Sequence, residues 1–141
     1  MTDFVFSILE SIGFRHPIHP AITHLPMGMV MGGFLFGLAA FLFRRPELSK
    51  TAWHCSILAL IGVFPTALAG YLDWQHTYNG EWLNLIKIKM VLAFILLVLL
   101  SVSVKINAKT DKVSFSALII YALCLLTGIG LGFTGGELMY G

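Results

Sequence analysis

The sequence predicts an all-α membrane protein, a four-helix antiparallel transmembrane bundle with a short N-terminal interfacial helix. The chain has 141 residues, of which 57% are hydrophobic and only 11% are charged, a composition far from that of soluble domains. Four apolar stretches match the ~20 residues that a helix needs to cross a bilayer. Short polar segments separate these stretches, so consecutive helices are expected to be antiparallel. Residues 1–141 are therefore expected to form a single transmembrane domain.

The predicted elements follow the apolar and polar pattern along the chain. Residues 2–13 place Phe4, Ile8 and Ile12 on one helical face, which indicates a helix lying on the membrane surface. Transmembrane helices are predicted at about residues 25–43, 52–72, 83–104 and 113–134. Pro26 cannot lie deep in a regular helix, so the first transmembrane helix either begins next to it or is kinked there.

Glycines recur at helical spacing on the first and fourth transmembrane stretches. The residues concerned are Gly28, Gly32, Gly33, Gly37, Gly128, Gly132 and Gly136. Small residues four positions apart let another helix approach closely. They predict close packing, either within the chain, with the first and fourth helices adjacent, or in a homodimer or a larger redox complex.

The composition leaves several classes of function without support. The formal net charge is +2 and there is no basic run, so nucleic acid is not an expected partner, whereas membrane lipid is. We find no phosphate-binding loop and no nucleophile–base arrangement, so a hydrolase or kinase is not predicted. Cys55 and Cys124 form no CxxC or CxxCH pattern, so they are expected to be small buried side chains.

The segment from Arg15 to Pro26, RHPIHPAITHLP, is the strongest candidate for a site. It contains His16, His19 and His24 where a polar segment passes into the first apolar stretch. Neutral imidazole is the commonest metal ligand, and ionisable groups inside a membrane are functional candidates. An interfacial loop with hydrogen-bonded histidines is the alternative that needs no ligand.

The antiparallel topology brings further polar residues to the same end of the bundle. Asp73 and His76 follow the second transmembrane stretch, and Glu137 follows the fourth. Lys87 and Lys89 lie at the start of the third stretch. These side chains can therefore complete a site with the histidines.

The positions of Lys87 and Lys89 are unusual, because the apolar part of the third helix is short. Only 15 uncharged residues separate Lys89 from Lys105. They span about 22 Å of helix, less than the roughly 30 Å hydrocarbon core. Either the lysines extend to the membrane surface, or one of them faces the bundle and pairs with Asp73, Glu137 or a bound anionic group. Lys87 and Lys89 are two positions apart, so at most one faces inward.

Basic residues predict the orientation in the membrane. The loops opposite the histidines carry six: Arg44, Arg45, Lys50, Lys105, Lys109 and Lys112. The histidine side carries three: Arg15, Lys87 and Lys89. Because Lys and Arg accumulate on the cytoplasmic side, both termini and the histidines are predicted to be periplasmic or extracellular.

Three motifs together resemble a family of small bacterial four-helix membrane proteins of unknown function. The patterns HPxHPxxxHxP, GxxDW and GGxLxY occur here at residues 16–26, 70–74 and 135–140. The resemblance covers residues 16–141 and implies a multi-pass protein of the bacterial cytoplasmic (inner) membrane. Fusions of the family to cytochrome c-like, Rieske-like or rubredoxin-like modules imply redox chemistry at the membrane.

The resemblance also implies which residues matter. Carried over to this sequence, it points to His16, His19, His24, Asp73, Gly135, Gly136, Glu137 and Tyr140. Many members carry a histidine near the start of the third transmembrane helix, where this chain reads LIKIK at residues 85–89. If that histidine is a ligand in the family, His76 has to replace it here.

We derive three functional hypotheses from these residues. The leading one is an electron-transfer protein or subunit, not a stand-alone enzyme, that binds heme b at the periplasmic face and exchanges electrons with a partner or quinone. His24 or His19 opposite His76 would be the axial ligands. The residues expected to bind heme or its propionates are His16, His19, His24, His76, Arg15, Lys87 and Lys89.

The other two hypotheses need no heme. One is a copper, zinc or iron site, because these metals accept mixed nitrogen and oxygen ligands. Its expected ligands are His19, His24, His76, Asp73 and Glu137. The other is a cofactor-free accessory subunit of a membrane redox complex, in which these side chains form a hydrogen-bond network between helices.

Overall fold

A computed structural model of the chain describes residues 2–11, 13, 18–108 and 110–141, and these residues form helices and no strand. The helices are α1 (Thr2–Ser11), α2 (Ile18–Phe43), α3 (Pro46–Thr77), α4 (Asn84–Asn107) and α5 (Phe115–Tyr140). Among the described residues, α2 to α5 are each long and apolar enough to cross a membrane. The predicted all-α transmembrane fold is confirmed.

The transmembrane helices extend beyond the apolar stretches that predicted them. Helix α2 begins at Ile18, not near residue 25, and continues through Pro26. Helix α3 begins at Pro46 and ends at Thr77, beyond the predicted range on both sides. Helix α5 continues to Tyr140. The additional turns carry polar side chains, but their backbone groups still require hydrogen bonds, which the helix supplies.

Local signals fix several helix ends. Pro46 occupies the first turn of α3, where a missing N–H group removes no intrahelical bond. The Ser114 hydroxyl accepts a hydrogen bond of 3.2 Å from the backbone N–H of Ala117 and caps α5. Beyond α3 the chain turns at Asn79 and Gly80, which have φ of 46° and 72°. Glycine adopts this left-handed conformation without steric strain.

The four long helices form a closed ring in chain order. Helix α2 packs against α3 and α5, and α4 packs against the same two helices. Helix α1 packs against α3. The bundle has two ends: we name the one with His19, Asp73 and Lys89 the histidine end, and the one with residues 44–50 and 105–114 the basic-loop end.

Most of the glycines on α2 pack against other helices of the same chain. A Cβ at Gly33 would lie 3.7 Å from the backbone oxygen of Ala52 in α3, and one at Gly37 would lie 2.7 Å from the Tyr121 ring in α5. A Cβ at Gly28 would meet no described atom within 4 Å. Close packing within the chain is therefore observed, and the homodimer stays a prediction.

The interior is apolar in the middle of the bundle and contains neutral polar groups toward the basic-loop end. Val30, Ala59, Leu96, Leu100 and Cys124 form the central buried cluster. Nearer the basic-loop end, the Ser56 and Ser103 hydroxyls are hydrogen-bonded at 3.1 Å. Cys55 and Cys124 are buried free thiols, as predicted.

Candidate functional site

Ionisable side chains from three helices meet at the histidine end. His19 lies one residue after the start of α2, Asp73 lies in the last turns of α3, and Lys89 lies in the second turn of α4. Helix α5 contributes Gly135, where a Cβ would lie 3.5 Å from Lys89 Nζ. All four transmembrane helices therefore border this cluster, which we name the His19 cluster.

Asp73 joins α3 to the start of α2. Its carboxylate Oδ2 accepts a hydrogen bond of 2.8 Å from the backbone N–H of His19. The first N–H groups of a helix have no acceptor within the helix, and the positive end of the helix dipole favours an anion there. Asp73 is only 6% exposed, so this carboxylate is an internal cap supplied by a neighbouring helix.

The imidazole of His19 is held in one orientation. Its Nδ1 lies 2.8 Å from the backbone oxygen of Thr66 in α3. A carbonyl oxygen can only accept, so Nδ1 carries the proton and donates it. In the neutral ring, Nε2 then keeps its lone pair and points away from Thr66. Metal-binding histidines are commonly oriented by such a second hydrogen bond.

Glycines on α3 make this approach possible. A Cβ at Gly70 would lie 3.0 Å from His19 Nδ1, and one at Gly62 would lie 3.3 Å from the Pro26 ring. The two glycines are eight residues apart and share a helix face. The first half of α2, including its proline, therefore lies directly on the backbone of α3.

Lys89 is the lysine that faces the bundle. Its side chain is half-buried, and it lies close enough to Asp73 and His19 for electrostatic interaction with both. Lys87 is exposed on the outside. This arrangement decides between the two sequence-based alternatives for Lys89, because its Nζ lies against α5 near Gly135 and not at the membrane surface alone.

Aromatic residues hold the connection between α3 and α4 over this end. Trp74 donates from Nε1 to the backbone oxygen of Glu81 at 2.9 Å, and its ring packs edge-on against Trp82 with centroids 4.8 Å apart. The Tyr78 hydroxyl donates to the backbone oxygen of Leu138 in α5 at 3.2 Å. These bonds fix the rim around the His19 cluster.

The remaining predicted site residues are not assembled into one metal centre. His24, His76 and Glu137 are exposed, and Arg15 and His16 lie outside the described residues. In the described part of the chain, no group of three or more His, Cys, Asp or Glu side chains is placed to hold a metal ion. The mixed set of His19, His24, His76, Asp73 and Glu137 is therefore not brought together there.

Sequence reasoning missed two parts of the site. The first is the Thr66 carbonyl, because a backbone acceptor leaves no mark in the sequence. The second is the link from Tyr78 to the end of α5, which depends on the turn after α3. The sequence did contain a signal for the close approach of α2 to α3: Gly62 and Gly70 are spaced so that they lie on one face of α3.

These features define a small multi-pass membrane protein with an ionisable cluster at one end of its helical bundle. A family model described as "Predicted membrane protein (DUF2231)" matches residues 15–141, and the chain belongs to this family. No match was found among curated proteins or among solved structures. The family match confirms the resemblance that the motifs indicated.

Proposed function

We propose that the protein is a membrane redox module in which Nε2 of His19 binds the iron of heme b. The observation that carries this proposal is the hydrogen bond from His19 Nδ1 to the Thr66 carbonyl oxygen. This bond fixes the tautomer in which Nε2 carries a lone pair and can bind iron, and it holds the ring in one orientation. Bound heme would supply one-electron transfer, with a protein or quinone as the partner.

The donor set fits a heme better than a bare metal ion. One oriented imidazole is sufficient for an axial ligand, whereas a tetrahedral site needs about three or four donors together. His24 and His76 are exposed, so a second ligand from either histidine would come from the surface of the bundle. The His19 ring lies against the backbone of α3 at Gly70, so a group bound at Nε2 would have to approach from the side away from Thr66.

The other members of the His19 cluster have distinct roles in this proposal. Asp73 fixes the start of α2 and thereby the position of His19. Lys89, half-buried, and Lys87, exposed, provide positive charge for propionates at this end. The excess of basic residues in the opposite loops supports a periplasmic location of the cluster in the bacterial inner membrane, because that excess marks the cytoplasmic side.

The test is an optical spectrum of the detergent-purified protein, produced with ample heme, first oxidised by air and then reduced with dithionite. A Soret band with sharp α and β bands on reduction is expected. His19→Ala should abolish these bands, whereas His54→Ala, at the other end of α3, should leave them unchanged. His24→Ala and His76→Ala should show which histidine is the second ligand.

Bands that persist in folded His19→Ala would overturn the assignment of the ligand. A wild-type protein without these bands would overturn the heme proposal itself. Metal analysis of the same sample would then distinguish a non-heme metal from a protein without a cofactor.

A specific observation favours a cofactor-free accessory subunit as the second candidate. His19, Asp73 and Lys89 already interact with one another and with α3, so the cluster also works as a tie between helices. In that case, the spectrum shows no heme, metal analysis finds no ion, and His19→Ala lowers only the thermal stability.

A further inference from the structure

A groove of about 340 Å³ lies at the basic-loop end, away from the His19 cluster. It is formed by the first turns of α3, the last turn of α4 and the residues after α4. Its lining includes Lys50, Trp53, His54, Asn107, Thr110 and Asp111. These positions lie where the apolar parts of α3 and α4 end, which is the level of lipid head groups.

The groove presents charges of both signs. Lys50 Nζ lies 3.8 Å from Asp111 Oδ1, and the two side chains are 64% and 74% exposed. An exposed pair of this kind contributes little stability, so each charge can take a ligand as its partner at small cost. His54 lies one turn after Lys50 on the same helix face and is also exposed.

An aromatic wall borders these charges. Trp53 Nε1 donates a hydrogen bond of 3.0 Å to the backbone oxygen of Val104, which fixes the indole between α3 and α4. The Trp53 and His54 rings lie 5.2 Å apart in a tilted arrangement. Tryptophan is favoured at the membrane–water interface because it combines an apolar body with a polar N–H.

We infer that this groove binds the head group of phosphatidylethanolamine, a lipid phosphate ester that carries a primary ammonium group. Lys50 and His54 face the phosphate, and the ammonium donates to the Asp111 carboxylate. A zwitterion matches both charges, whereas a purely anionic head group leaves Asp111 opposite a negative charge. The acyl chains continue along the apolar outer surface below, where Leu58 of α3 and Val102 of α4 are exposed.

The test is native mass spectrometry of the full-length protein, incubated with equal amounts of phosphatidylethanolamine and phosphatidylcholine with identical acyl chains. Phosphatidylcholine keeps the phosphate but has no ammonium N–H to donate. We expect a preference for phosphatidylethanolamine of roughly threefold to tenfold, because one charge-assisted hydrogen bond is lost in the competitor.

Variants separate the two halves of the head group. Asp111→Asn should bring the lipid ratio to about one, since the acceptor charge for the ammonium is gone. Lys50→Met should weaken binding of both lipids, because both carry the phosphate. Lys105→Met is the matched control: this exposed lysine is at the same end but does not line the groove, so the preference should remain.

Several results would overturn the inference. Equal binding of the two lipids by the wild-type protein is one, and a preference that survives Asp111→Asn is another. Stronger binding of phosphatidylglycerol than of phosphatidylethanolamine would show that the groove attracts negative charge without recognising the ammonium group. Displacement of the lipid by an equal concentration of soluble phosphoethanolamine would assign the groove to a water-soluble ligand.

Discussion

Two aspartates, one at each end of the bundle, have different surroundings. At the histidine end, Asp73 is 6% exposed and bonds to the start of another transmembrane helix. At the basic-loop end, the Asp111 side chain is 74% exposed and pairs with an exposed lysine. Taking a charge out of water is costly unless protein groups replace the lost hydration. Asp73 therefore needs the hydrogen bond and the positive charge of the surrounding cluster, whereas Asp111 remains hydrated and needs no protein partner.

The polar groups inside the basic-loop half are neutral. Ser56, Ser103 and Tyr121 are buried there, and neutral hydroxyls need hydrogen bonds but no counter-charge. Ionisable groups inside a membrane are rare and are retained mainly for function. The comparison therefore supports the proposal that puts the chemistry at the histidine end, and it leaves the basic-loop end for structure and for the proposed lipid binding.

The largest expected effect comes from removing the buried carboxylate. Asp73→Ala deletes the cap of α2 and the counter-charge of Lys89. We expect a loss of about 3 kcal/mol in the free energy of unfolding, because a buried donor left without its charged acceptor costs about 1–3 kcal/mol and the half-buried Lys89 also loses the nearby negative charge. Denaturant titration in detergent micelles measures it.

Asp111→Ala is the control at the other end and should cost at most about 1 kcal/mol. Asp73→Asn keeps an oxygen that can accept from the His19 N–H but loses the charge, so its stability should lie between those of Asp73→Ala and the wild-type protein. If Asp73→Ala and Asp111→Ala cost the same, the two ends do not differ in the way argued above.

The fold was largely predictable because the bilayer limits the possible elements. Four apolar stretches and short loops define the antiparallel bundle, and the helices agree with them in the middle of each span. The helix ends were not predictable by the same criterion. Residues such as His19 and Trp74 lie outside the apolar stretches. The helix ends there depend on tertiary bonds, such as that from the His19 N–H to Asp73, and these bonds cannot be read from the sequence.

The site was predictable in part. His19, Asp73 and Lys89 were all identified from the sequence, because each is a polar residue next to a membrane span. Which lysine faces inward was left open, since spacing shows only that the two point in different directions. The exposed positions of His24 and Glu137 depend on the rotation of α2 and α5, which is set by glycine contacts in three dimensions.

A smaller effect is expected from packing at the basic-loop half. Gly37→Ala places a Cβ 2.7 Å from the Tyr121 ring, so the ring or the helix must shift. We expect a cost of about 1–3 kcal/mol, the usual range for an overpacked interface. Thermal unfolding in detergent measures it, and the heme spectrum proposed above should stay unchanged because the His19 cluster is at the other end.

Gly28→Ala is the matched control on the same helix. No described atom lies within 4 Å of its Cβ position, and alanine favours a helix by up to about 1 kcal/mol over glycine. Its stability should be equal to or higher than that of the wild-type protein. A loss as large as that of Gly37→Ala would show that Gly28 packs against a second copy or another partner.

The smallest effect is expected from the Tyr121 hydroxyl, and its sign tests the comparison most directly. Tyr121 is 2% exposed, and its hydroxyl lies close to those of Ser56 and Ser103, but no described group meets it at good hydrogen-bonding geometry. Removing a buried hydroxyl that lacks a partner relieves a desolvation cost, so Tyr121→Phe should leave stability unchanged or raise it by up to about 1 kcal/mol.

Ser103→Ala, which removes the hydrogen bond to Ser56, should instead lower stability by about 1 kcal/mol. A clear loss in Tyr121→Phe would mean that the Tyr121 hydroxyl is hydrogen-bonded to Ser56 or Ser103, directly or through an internal water, and that the basic-loop half contains a linked polar network of its own.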